Sequence, residues 1–77
     1  MRDLLDLTPK QFDALVKFME LVEAHGRAPS LRELGDALDL KYTTIRTRVR
    51  YLVEKGYLKD AGVHRGLSVT PKVELLA

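Results

Sequence analysis

No cysteine occurs in the 77 residues. That excludes disulfides, thiolate metal sites and thiol nucleophiles, and leaves packing alone to hold a core together. The amino terminus, residues 1–6, has no long apolar run and carries acids, so neither a signal peptide nor a membrane span is expected there. Internal repeats, low-complexity tracts and Gly/Ser linkers are also missing. A chain this short buries only about 60% of its unfolded surface and supports one modest core, hence one domain over residues 1–77. Hydrophobic residues at 45% and charged residues at 31% argue against disorder. A soluble protein of the cytoplasm, without a membrane partner, is the expectation.

An excess of charge is nearly lacking as well, since the net value is only +2. Its distribution says more. Residues 1–40 hold five Lys/Arg against eight Asp/Glu, whereas residues 41–72 hold eight against two. Such asymmetry is the footprint of a face that meets a polyanion, although a solvated basic surface without a partner gives the same count.

Glycine and proline, eight residues together, punctuate the chain. Thr8-Pro9-Lys10-Gln11 has the spacing of a capping box with proline at the first helical position. Phe12, Leu15, Val16, Met19 and Val22 recur at helical intervals, and His25-Gly26 closes the segment, predicting a helix over 9–25. Ser30 and Glu33 form a second box, opening a short helix over 30–39 with Leu31, Leu34, Ala37 and Leu38 as its apolar face. A third helix, 42–55, buries Ile45, Val49 and Leu52, with Val53 on the same side. Lys55-Gly56 ends it. On a helical wheel its opposite side carries Thr43, Arg46, Thr47, Arg50 and Glu54, while Arg48 flanks the core and reads as structural. After Gly56 the period falls to two. Residues 57–60 and 66–70 then read as strands of a hairpin with a loose tip, within a wing spanning 57–70. The tail, 71–77, reads either as a docked extension or as the start of a linker.

Two helices joined by a short turn, the second exposing Thr and Arg, suit insertion into the major groove. Arg46 and Arg50 match the paired acceptors of guanine, and Thr47 can bond to base or phosphate. Lys41 and Lys59 are candidates for phosphate. Tyr42 fits either a phosphate contact or a hydrophobic staple. Thr43 and Thr44 fit either DNA contacts or a helix cap. His64 and Arg65, at the wing tip, fit backbone or minor-groove contacts, or else a solvated loop. No arrangement of Ser, His or carboxylates suggests catalysis or a metal site, so no enzyme, cofactor or metal is expected.

The run Pro29-Ser30-Leu31-Arg32-Glu33-Leu34, then Leu38-Asp39-Leu40, then Thr44 through Leu58, resembles the winged helix-turn-helix superfamily of bacterial regulators. The superfamily's Leu-x-x-Lys-Gly-hydrophobic-hydrophobic signature falls on residues 52–58. Leu7-Thr8-Pro9-Lys10-Gln11, Gly26-Arg27-Ala28-Pro29-Ser30 and Arg65-Gly66-Leu67 are more narrowly similar to the amino-terminal DNA-binding domain of LexA repressors, over roughly residues 7–70. The resemblance implies an α+β fold: a three-helix winged helix-turn-helix with a two-stranded β-hairpin wing. It further implies sequence-specific binding of double-stranded DNA in transcriptional repression, as a homodimer or through an attached dimerisation domain. A protein-interaction winged helix and a replication-initiator or partition module are the other readings.

The sequence departs from the family in several places. Asp39 stands where the turn usually has glycine, and Lys41-Tyr42 replaces the usual serine cap. The recognition stretch is one residue shorter, with different base-reading residues, so no operator carries over. No Ser/Lys pair of the self-cleaving LexA domain is at hand, so no peptidase activity is expected. Ala61-Gly62 matches a cleavage dipeptide only by coincidence, inside the wing.

Overall fold

A computed structural model describes residues 7–63 and 65–76. Helix α1 spans Pro9–His25, α2 Leu31–Ala37 and α3 Tyr42–Glu54; strands β1 (Leu58–Asp60) and β2 (Leu67–Val69) follow. The strands pair antiparallel, with Leu58 opposite Val69 and Asp60 opposite Leu67. A 3₁₀ helix, Pro71–Leu76, ends the described chain. This is the α+β arrangement expected from the sequence, with Val73 of the tail packed against the core.

Both predicted capping boxes are present, each closed by reciprocal bonds. Thr8 Oγ1 accepts from the Gln11 N–H at 3.1 Å while Gln11 Oε1 accepts from the Thr8 N–H at 3.2 Å. Ser30 and Glu33 do the same at the start of α2. Each box satisfies donors that the first turn otherwise leaves open, an effect of about 1 kcal/mol per helix.

The core joins Ala14, Leu15 and Phe18 of α1, Leu34 of α2, Ile45, Val49 and Leu52 of α3, and Tyr57 and Leu58 at the wing's base. One expectation fails here. Phe12 and Met19, assigned to the buried face of α1, are each 40% exposed, whereas Ala14 and Phe18 are fully buried. Phe12, Val16 and Met19 form one apolar stripe and Leu15, Phe18 and Val22 an adjacent one, so helical spacing alone does not choose between them. Gln11 tips the choice, because its box with Thr8 and its bond from Lys55 Nζ at 2.9 Å hold that side of α1 against the end of α3.

Helix α2 ends earlier than expected, at Ala37, because the chain turns at once. The Leu40 N–H bonds back to the Gly35 carbonyl at 2.8 Å and the Asp39 N–H to the Asp36 carbonyl at 3.2 Å. This is a Schellman motif with Asp39 in its left-handed position, φ 57°. Helix α3 closes the same way, through the Tyr57 N–H on the Leu52 carbonyl and the Gly56 N–H on that of Val53. The α2–α3 contact is close enough to favour a residue without a side chain. A Cβ on Gly35 would lie 3.0 Å from Ile45 Cγ2 and 3.1 Å from the Leu40 carbonyl oxygen.

The sequence departure at Asp39 thus sits in the left-handed region, which glycine enters without the cost a Cβ brings. Asp39→Gly is expected to stabilise the domain by about 0.5–1 kcal/mol, read as a higher denaturation midpoint with an unchanged denaturant slope.

Candidate nucleic-acid interface

Burial of Ile45, Val49 and Leu52 sets the rotation of α3. Tyr42, Thr43, Arg46, Thr47, Arg50 and Tyr51 are left exposed. Thr44 is half-buried. The Thr47 hydroxyl donates to the Thr43 carbonyl at 3.1 Å, leaving its oxygen lone pairs as acceptors. Arg46, Thr47 and Arg50 line one continuous shallow cleft with Leu31, Val53 and Asp60. The sequence-predicted base readers are therefore brought together on the side away from the core.

The start of α3 differs from the other two. Lys41 is its N-cap, and no side chain accepts a bond there. Neither Thr43 nor Thr44 caps the helix, which overturns that alternative: both lie inside the first turn, beyond the cap position. Tyr42 does not act as a staple either. It occupies the first helical position at 48% exposure, and the staple position before the cap belongs to Leu40, which packs against the cluster containing Ile45. Helix α3 thus begins with backbone N–H groups that no side chain among the described residues answers, beside the exposed Lys41. Such an end favours an anion.

The wing is held by Arg65. Its backbone is left-handed, φ 57°, and its guanidinium turns inward onto α2. It donates to both carboxylate oxygens of Glu33, to Oε2 at 3.1 Å, and to the Ala28 carbonyl at 3.1 Å. The sequence placed Arg65 at the wing tip, and nothing in its pattern distinguishes a tip from a clamp. Gly66 follows because the hairpin is tight there: a Cβ would stand 2.8 Å from the Val63 carbonyl oxygen. Lys59 is exposed on β1, whereas His64 lies outside the described residues. Among the described residues, Lys41, Arg46, Arg50 and Lys59 have no carboxylate partner, in contrast to Lys17, Arg27 and Arg65. The cations that α3 and β1 expose are thus uncommitted among the described residues. No group of His, Asp and Glu among the described residues is arranged to hold a metal, and no described helix is long and apolar enough to cross a membrane.

Residues 4–66 match the LexA DNA binding domain family. The chain belongs to it. LexA-family relatives include the LexA repressor of Oleidesulfovibrio alaskensis, 36% identical over 66 residues, 84% of this chain and 32% of the relative. The LexA repressor of Limosilactobacillus fermentum is 39% identical over 66 residues, 83% of this chain and 32% of the relative. That of Finegoldia magna is 34% identical over 70 residues, 88% and 34%. The chain spans about a third of the length of these relatives. The resemblance seen in residues 7–70 is thereby upheld, together with the winged-helix fold it implied.

The Arg65 guanidinium, and next the Ser30 N–H, hold the Glu33 carboxyl down from the usual 4.5 to about 2. A carboxyl depressed in the folded state stabilises the fold above its ordinary value, and that contribution is lost as pH falls from 4.5 towards 2. Glu33→Gln keeps a box-forming side chain but not the charge. The melting temperature of the variant is expected below that of the wild type at neutral pH, with the two converging as pH drops through that window. A gap that persists at pH 2 would remove the ion pair as its cause.

Proposed function

We propose that this domain binds double-stranded DNA sequence-specifically and serves as the DNA-binding part of a LexA-like transcriptional repressor acting in the cytoplasm. The observation that carries the reading is the free outer side of α3, whose arginines meet neither the core nor a carboxylate among the described residues. Set into a major groove about 12 Å wide, Arg46 and Arg50 reach guanine edges and Thr47 a neighbouring base. Lys41, with the uncapped start of α3, and Tyr42, Thr43 and Thr44 lie towards one backbone. Lys59 and the wing tip, with His64, approach the duplex beside them. Arg65 serves the same interface by holding the wing to α2.

One such domain spans only a short half-site, so two copies on a two-fold operator, or copies joined through a dimerisation domain, complete the recognition. Sedimentation of the protein on a selected site should then give two copies per duplex; a single copy at saturation would count against it.

Sites selected from a random oligonucleotide pool supply the substrate for testing the residue roles. Arg46→Ala is expected to weaken binding to the best site by about 1–3 kcal/mol and to relax preference at one base pair. Unaltered selectivity would remove Arg46 from base reading. Lys59→Ala is expected to weaken specific and random duplexes alike and to flatten the salt dependence by about one unit of log–log slope per bound copy. An unchanged slope would take Lys59 off the phosphate path.

A further inference from the structure

Seen along its axis, α3 has two shoulders. The wing shoulder carries Arg46 and Arg50, with the Asp60 carboxylate in the same cleft. The other shoulder is a shallow groove between α3 and the start of α1, lined by Lys10 and Gln11 and by Thr44, Thr47, Arg48 and Tyr51. No acidic residue lines it. Lys10 and Tyr51 are exposed and Arg48 is half-buried. Neither Lys10 nor Arg48 has a hydrogen-bond or carboxylate partner among the described residues. Gln11 is already engaged: its Oε1 accepts from Lys55 Nζ at 2.9 Å and from the Thr8 N–H at 3.2 Å. That pair fixes α1 against the end of α3, and so fixes the width of the groove.

A helix seated in the major groove has a sugar–phosphate wall on each side of it. When the wing shoulder faces one wall, the α1 shoulder faces the other. We propose that Lys10, Arg48 and Tyr51 form a second row of phosphate contacts, on the strand opposite the one the wing approaches. Lys10 brings a point charge, Arg48 a fork of N–H donors and Tyr51 a hydroxyl. Arg48 reads as structural in the sequence because it flanks the core stripe on the wheel. In the fold that flank opens onto the groove instead of onto a partner. The proposal rests on the duplex-binding reading above and extends it to residues outside the base-reading side.

Salt titrations of binding, on one selected specific duplex and one random duplex of equal length, test it with Lys10→Gln, Arg48→Gln, their double variant and Arg48→Lys. Each neutralising change is expected to flatten the log–log slope by about one unit per bound copy on both duplexes, and the double variant by about two per copy. Base preference should be unaltered, and Arg48→Lys should keep the wild-type slope. Within each half-site, phosphate-ethylation interference should vanish on one strand only in the double variant. A double variant with wild-type melting and a wild-type slope overturns the second row. Should Arg48→Gln melt early, the exposed Lys10→Gln decides alone by the same criterion. Wild-type protein without salt-dependent duplex binding would overturn the duplex-binding reading itself, whereas wild-type binding with unchanged variant slopes overturns only this row.

Discussion

The inward packing of Ile45, Val49 and Leu52 is the constraint on which the rest of the domain depends. Thirteen residues of α3 carry one apolar stripe, and once that stripe is buried the opposite side has no protein left to meet. Burying three such side chains is worth roughly 1.5–3 kcal/mol each, a large share of the stability available to so small a domain. The rotation of α3 is therefore fixed strongly, by residues that take no part in binding. Gly35 completes the arrangement by letting α2 approach Ile45 without a Cβ between them. In a helix-turn-helix the recognition side is what the core leaves over.

The ends of α3 are treated unequally, and the inequality has a use. Its carboxy end is closed several times over: by the Schellman bonds at Gly56 and Tyr57, by Lys72 Nζ on the Lys55 carbonyl, and by the same ammonium 4.6 Å from the centre of the Tyr57 ring. The tail adds a bond from the Thr70 hydroxyl to the Gly56 carbonyl. Its amino end, by contrast, has no side-chain cap, although Thr8 and Ser30 show that the same chain caps its other helices fully. The amino end is the one left electrostatically open to an anion.

Local chemistry made much of this legible in the residues. Both capping boxes, the start and end of α1, the two strands and the buried stripe of α3 follow from spacing and turn residues that act over three or four positions. What escaped was decided at longer range. Phe12 and Met19 belong to a stripe as apolar as the buried one, and contacts made across the fold, the core packing of Ala14, Leu15 and Phe18 with the Lys55–Gln11 bond, separate the two. Asp39 takes a left-handed conformation that glycine adopts more easily, because the turn needs it whatever residue stands there. Arg65 looks like any exposed wing arginine until Glu33, thirty-two positions earlier, is seen to receive it. Arg48 is the converse case, a residue given to the body whose guanidinium the body does not use.

Glu33 answers to two elements at once: the Ser30 N–H that opens α2 and the Arg65 guanidinium that anchors the hairpin. One carboxylate thereby keeps helix and wing in step. Anyone reshaping the wing to follow a different phosphate path would have to treat positions 33 and 65 as a single unit. A library that varied one and fixed the other would mostly sample hairpins that had lost their anchor.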